Sequence, residues 1–418
     1  MALLIRPLYT RLPLLLCIGG MILSAHLVRS STEDATQSDS SVASPKPSTA
    51  FAIPAIGARF EGRPLEITSA GEATFQTSDG KRRVPLADLV RWGDLVDPQR
   101  GIQVLLSGGG LIVAETVRLE NEQLHLDSDL LGERAVPLEF LAGIIFQTPR
   151  DLQERDRLAN RTLDPAARSD RLLLENGDEL SGTITSVTGT SVIIDAQGQK
   201  VAVELRRIAA AAFDPTLTAD EKPSPTRTLV GLRDGSRLTV NGVVLNKDLL
   251  QVTMPGKKVW ELPADSLVWF QPLSGNVVYL SDLTAEGYRH LPFLSQSWPY
   301  KNDANVVGTQ LRAGGHPAAK GIGMHSAGRL TYRLDKRFRK FEADVALDDQ
   351  VGDGGAVVFG VYVDDKLAWK SDVIRGGMRP QPVSVDVSGA KRLSLIVEFG
   401  ERGDELDRAN WLDARLTP

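Results

Sequence analysis

Four aromatic side chains in the last third of the sequence, Trp298, Tyr300, Trp369 and Trp411, lie among residues suited to directional hydrogen bonding: His325, Glu398, Arg402 and Asn410. Such a set suits a binding site with apolar faces and a few fixed donors and acceptors that orient a polar ligand. Each residue also has a plain structural reading. Trp298 and Trp411 would serve as well in a core, His325 as a satisfied histidine, and Glu398, Arg402 and Asn410 as solvated loop residues. Tyr300, beside Pro299, is the aromatic best placed for exposure.

Two carboxylates could brace loops around a structural calcium ion, which takes clustered carboxylate and carbonyl oxygens. They are Asp303, in the run Asn302-Asp303-Ala304-Asn305, and Asp413 near the C-terminus. Asp348, Asp349 and Asp353 form another acidic group that reads equally well as a solvated turn. No other cofactor is implied. Bond-breaking chemistry has no signature: there is no Gly-rich phosphate loop, no His-Glu-x-x-His helix and no Gly-x-Ser-x-Gly elbow. His316 and His325 are nine residues apart, on loop and strand, a poor spacing for a shared metal. Glycosidases need two carboxyl groups at a set separation across a cleft, and acids clustered in a loop do not establish one. The expectation is binding without catalysis.

The elements that must position these residues are strands. Phe341, Ala343, Val345 and Leu347 alternate with polar neighbours, as do Val383, Val385 and Val387, then Leu393, Leu395 and Val397. Residues 357–363 form an apolar run, and Asp364-Asp365 reads as the tip of a hairpin into Leu367-Ala368-Trp369. This pattern predicts an antiparallel, jelly-roll-like β-sandwich over residues 275–418.

Within that span, ordered motifs run from Tyr279-Leu280-Ser281-Asp282-Leu283 and Gln296-Ser297-Trp298 through Lys320-Gly321-Ile322-Gly323-Met324-His325-Ser326 and Phe341-Glu342-Ala343-Asp344-Val345-Ala346-Leu347-Asp348-Asp349. They continue through Val357-Val358-Phe359-Gly360-Val361-Tyr362-Val363-Asp364, Val385-Asp386-Val387-Ser388-Gly389 and Leu393-Ser394-Leu395-Ile396-Val397 to Ala409-Asn410-Trp411-Leu412-Asp413-Ala414-Arg415-Leu416. Together they resemble the NPCBM family of carbohydrate-binding modules, found attached to glycoside hydrolases such as those of family 98. The resemblance implies a sandwich that binds carbohydrate, with a galactose-type or related glycan as the expected partner. The segment Asp407-Arg408-Ala409-Asn410-Trp411 stands where the family usually has Asp-His-Ala-Asp-Trp, which leaves the choice of sugar open.

Upstream, a weak repeat recurs at intervals of about 45 to 65 residues. The clearest copies open with a strand and a tight turn, Leu172-Leu173-Leu174-Glu175-Asn176-Gly177-Asp178 and Leu229-Val230-Gly231-Leu232-Arg233-Asp234-Gly235. They close with an apolar-Pro-apolar step and a late aromatic: Val84-Pro85-Leu86 to Trp92, Val136-Pro137-Leu138 to Phe146, and Leu262-Pro263-Ala264 to Phe270. In the third copy Glu204 replaces the proline, and Phe213 is the aromatic. The pattern predicts an all-β chain of tandem small SH3-like or Sm-like barrels ahead of the sandwich. Two repeats span residues 56–150, a charged connector 151–170, a third repeat 171–216, a linker 217–226 and a fourth repeat 227–273. Such barrels are spacers or protein-docking units, so a protein partner is their expected ligand.

Composition fits this organisation. The apolar share is 42 %, and 48 basic against 53 acidic residues leave a net charge of −5, which implies neither nucleic acid nor an anionic membrane surface as partner. The N-terminus reads as an export signal over residues 1–30: Arg6 and Arg11, an apolar stretch over 12–23, then small residues at Ser24, Ala25 and Ser30. The stretch is short of the ~20 residues that span a bilayer, so cleavage is expected over an uncleaved anchor. Leu14 to Leu16 precede the single Cys17, which argues against lipidation there. Residues 31–55 read as a flexible Ser- and Pro-rich tether, and the mature chain is expected in the secreted, periplasmic or cell-surface space.

Overall fold

The computed structural model describes residues 47–418 apart from 99, 220–226, 294, 335 and 402. The export signal, Cys17, most of the tether, most of the 217–226 linker and Arg402 therefore lie outside the described residues. Among those described, strands dominate, the one α-helix is Leu152–Thr162, and no helix is long and apolar enough to cross a membrane.

Four copies of one strand pattern fill the N-terminal part. The first copy runs through Ala50–Pro54, Phe60–Ile67, Glu72–Thr77 and Gly80–Pro85, then a single turn of 3-10 helix, Leu86–Asp88, and a last strand, Leu89–Gly93. The same short turn recurs at Leu138–Phe140, Leu205–Arg207 and Ala264–Ser266. It follows the apolar-Pro-apolar step because proline fixes φ near the value the turn requires. Pro85, Pro137 and Pro263 have φ of −59°, −59° and −58°, and Glu204 reaches −61° without a ring. The Asp-Gly turn of the fourth copy is also fixed by geometry. Gly235 sits at φ +91°, and a Cβ there would lie 2.4 Å from Pro98.

The expectation of separate barrels is corrected. No copy closes on itself. The last strand of the first copy pairs antiparallel with that of the fourth, Trp92 opposite Phe270, and the last strands of the second and third copies pair likewise, Ile144 opposite Ala211. Further strands add to the joints, Leu245 opposite Ile67 and Val187 opposite Leu119. A copy of this size buries too little apolar surface alone and would leave a bare edge; pairing with a sibling supplies both the core and the missing hydrogen bonds. One core accordingly runs through all four, with Phe75, Trp92, Leu124, Leu141, Ile194, Ile208, Val230 and Phe270 buried in it. Trp92 and Phe270 meet at 5.6 Å between ring centroids. Phe146 is only half-buried at the margin of that core.

The joint between the second and third copies explains the run of alanines at 209–212. Gly143 lies opposite Ala212, and a Cβ on Gly143 would stand 2.3 Å from Thr162 Cγ2 and 2.7 Å from the Ala211 carbonyl oxygen. Small side chains let the strands pass beneath the helix, whose Leu158 and Ala159 pack against Ile145, Leu173 and Ala210.

The C-terminal part is the expected antiparallel sandwich. One sheet orders Lys301–Asn302, Gly321–His325, Arg408–Thr417, Lys340–Leu347 and Gln381–Asp386, with Val278–Tyr279 also on Arg408–Thr417. The other orders Gly287–His290, Gly328–Arg333, Arg392–Phe399, Ala356–Val363 and Lys366–Lys370, with Ile374–Arg375 on Ala356–Val363. Asp364 and Asp365 form the hairpin tip with φ of +46° and +67°, the doubly left-handed turn that matches strand twist. Inward residues of both sheets, among them Ile322, Phe341, Val345, Phe359, Leu395 and Trp411, make the sandwich core.

The sandwich is packed directly on the repeats. Buried Arg312 forms ion pairs with Asp97 at 2.9 Å and with Asp156 at 2.5 Å. The Tyr279 hydroxyl donates to the Val90 carbonyl at 3.1 Å and accepts from Gln271 at 2.7 Å. Gln271 in turn donates to Asp413, which also receives Arg91 at 3.0 Å.

Candidate functional site

At one end of the sandwich, loop residues 295–300 set Trp298 on His325, at the end of the strand Gly321–His325, and Phe293 packs beside the loop residues 403–407, against Gly403 and Phe399, to form a rim. Trp298 is the centre of this rim. Its indole stacks on the His325 imidazole, with centroids 4.9 Å apart and planes 6° from parallel. Its backbone carbonyl accepts from the Tyr288 hydroxyl at 2.7 Å, and its amide donates to His290 Nδ1 at 3.4 Å. Ring and backbone are thus both held, while the side chain stays only half-buried. A ring fixed in advance loses little entropy when a ligand lands on it.

The imidazoles beneath are neutral at physiological pH. Burial pushes His325, 3 % exposed, down to about 4, and burial also lowers His290 against a hydrogen bond to the Ser326 backbone and the pull of Asp404. Because His290 Nδ1 accepts the Trp298 amide, its neutral ring carries the proton on Nε2, which is turned to the Ser326 backbone. His290 and His325 meet edge to face at 6.0 Å. Beside them Phe293, 59 % exposed, packs edge-on against Phe399, 37 % exposed, at 5.9 Å. Buried Asp407 anchors the second loop by accepting from the Ala356 amide at 2.9 Å, and burial raises its carboxyl to about 6. The rim offers exposed aromatic faces over neutral imidazoles, and the carboxylate of Asp404.

The other residues singled out from sequence go elsewhere. Tyr300 is half-buried, packed on Tyr288 at 5.1 Å between centroids. Trp411 is wholly buried between Phe341 and Phe359, so its ring faces core, not solvent. Asn410 is also buried, donating to Asp348 at 2.7 Å. Glu398 is on a strand, not a loop, and forms an ion pair with Lys370 at 2.6 Å. Successive strand residues point to opposite faces, which turns Glu398 away from Phe399 and the rim. Asp303 accepts from Lys320 at 2.7 Å and from the Gly321 amide at 3.1 Å, while Asp413 is held by Arg91 and Gln271. Both carboxylates are thus matched by protein cations. Among the described residues no three His, Cys, Asp or Glu side chains gather as a metal site.

His290, Phe293, Phe399 and Asp404 complete the rim, and the sequence reading missed them. Phe399 sits at the end of an alternating strand where its exposure could have been read from the polar loop that follows. Phe293 and His290 give no such sign.

Residues 276–417 match the family model described as the NPCBM/NEW2 domain, so the sandwich is a module of that carbohydrate-binding class. The chain is 30 % identical over 109 residues to a Renibacterium salmoninarum protein assigned as an endo-alpha-N-acetylgalactosaminidase, a match covering 26 % of this chain and 7 % of the relative. It is 27 % identical over 115 residues to the alpha-1,3-galactosidase B of Akkermansia muciniphila, covering 27 % of this chain and 14 % of that one. The chain therefore spans only a small part of the length of either relative. Among solved structures, the CBM51 module of a Clostridium perfringens GH95 protein, in complex with methyl-galactose, is 26 % identical and covers 34 % of this chain and 99 % of its own, with a TM-score of 0.31.

Proposed function

We propose that this protein is an exported, non-catalytic carbohydrate-binding protein whose sandwich recognises a glycan at the Trp298 rim, with the four repeats as a rigid platform or protein-docking unit. The observation that carries the reading is the pinned, half-buried Trp298 ring on a neutral His325 beside exposed Phe293 and Phe399, within a module of the NPCBM/NEW2 class. Aromatic faces take the C–H side of a pyranose, and the Asp404 carboxylate supplies an acceptor for hydroxyls. The names of both relatives point to galactose-configured sugars, and we extend that preference to this chain. The export signal read at residues 1–30 supports a location outside the cytoplasm. Calcium has no part in this reading, because Asp303 and Asp413 already have cationic partners.

A glycan array with the mature chain tests the proposal. Galactose- or N-acetylgalactosamine-terminated glycans are expected to bind, and Trp298→Ala is expected to weaken them by at least about tenfold, roughly 1.4 kcal/mol, with little loss of stability because the ring is part-exposed. No binding to any glycan, or equal binding by the variant, would overturn the assignment of the rim.

A further inference from the structure

A second concavity lies far along the chain from the rim residues, where the first and fourth repeats meet the sandwich. It holds about 610 Å³, within the range of ligand pockets, which commonly form at such junctions. Its floor is satisfied: Arg91 is bound to Asp413 at 3.0 Å and to Asp94 at 3.2 Å, and Gln271 donates to Asp413 at 3.1 Å. Its walls are not. The side chain of Asp344, from the strand Lys340–Leu347, is part-buried and makes no hydrogen bond or ion pair among the described residues, nor do the side chains of His316 and Arg379. Arg59, from the first repeat, lies over the Phe51 ring at 4.8 Å and has no carboxylate bound to it.

A part-buried carboxylate without donors is costly and favours a ligand that brings hydroxyls to it. Burial and the neighbouring Asp413 raise Asp344, while Arg415, Arg91 and Arg59 pull the other way, so the group sits between opposing fields. Guanidinium groups on two sides suit a carboxylate, which they can bind through paired hydrogen bonds. Asp344, Asp94 and Asp413 together disfavour a multiply charged phosphate. Pro317, Pro380 and Leu412 add apolar surface for C–H groups.

We infer that this cleft is a second ligand site, for a sugar bearing one carboxylate: the acid group meets Arg59 and Arg379, and ring hydroxyls donate to Asp344. The site exists only where repeats and sandwich are assembled, so the repeats contribute directly to recognition. It does not depend on the rim.

Calorimetric titration of the full chain with methyl glucuronoside and methyl glucoside separates the outcomes. The glucuronoside is expected to bind at least about tenfold more tightly than the glucoside, and less tightly as salt rises. Arg379→Ala and Arg59→Ala, both at exposed positions, should each weaken it several-fold with unchanged denaturation midpoints, and Trp298→Ala should leave it unchanged. Absence of glucuronoside binding, indifference to both arginine variants, or its loss in Trp298→Ala would overturn the second site, whereas the array result for neutral glycans stands or falls separately.

Discussion

A histidine held in an apolar setting refuses a proton that the unfolded chain accepts. His325, pushed down to about 4, does so across the interval from its ordinary pKa near 6.5 down to that value. The unfolded chain then binds more protons, so stability falls as pH drops through this window. Asp407, raised to about 6, has the opposite sign: between about 4 and 6 the folded chain holds the extra proton, so this group favours the fold as pH drops. Replacing His325 by Gln should therefore flatten the acid loss, by up to roughly 3 kcal/mol between pH 6.5 and 4. Urea midpoints of parent and variant across that range check it, and parallel curves would show that His325 is not a buried neutral ring. The sequence motif around His325 placed it on a strand but could not say what covered it. Trp298 lies 27 positions away, and the stack depends on how the 291–300 loop folds back, which no local pattern encodes. Of the two readings of Trp411 the core one holds, and Asn410, read as a loop residue, is buried beside it: in Arg408–Thr417, the strand central to its sheet, neighbours on both faces bury the side chains.

Strand periodicity was readable because burial on one face forces alternation, and the sandwich strands fall where the alternation put them. The apolar-Pro-apolar step was readable as a recurrence, but the 3-10 turn it leads into was not. Sibling pairing was not, since the outer edge of a last strand looks the same in sequence whether water or another strand lies beyond it. One trace did exist: the run of alanines at 209–212 is too small to fill a core alone and marks a close approach. Gly143→Ala tests that joint. The added methyl would strike both the Thr162 methyl and the Ala211 carbonyl, and a destabilisation of about 1–3 kcal/mol by urea titration is expected. Adding Thr162→Ser to Gly143→Ala should recover little, because the backbone oxygen stays in place. Full recovery would mean that the helix, not the strand, sets the spacing.

Repeats and sandwich form one compact unit over residues 44–418, and Arg312 is central to the union. Its guanidinium is 4 % exposed, and burial opposes its charge while Asp97 and Asp156 hold it above the ordinary arginine range. Removing one member of a buried ion pair leaves charge without a partner, which costs about 3–5 kcal/mol. Arg312→Ala should therefore split the calorimetric unfolding into two transitions, the sandwich separating from the repeats, where the parent shows one. A single transition at an unchanged temperature would show that the polar contacts at Tyr279 and Arg91 suffice.

The joints between the repeats are nested like parentheses, second with third inside first with fourth. As the chain is synthesised, the inner pair has all its strands once Ala212 has emerged, whereas Trp92, paired with Ala52 on one side, has nothing on its other edge until Phe270 follows. The N-terminal repeat is made first and finished last. Its free edge is therefore the part of the molecule longest at risk from strand pairing with other chains.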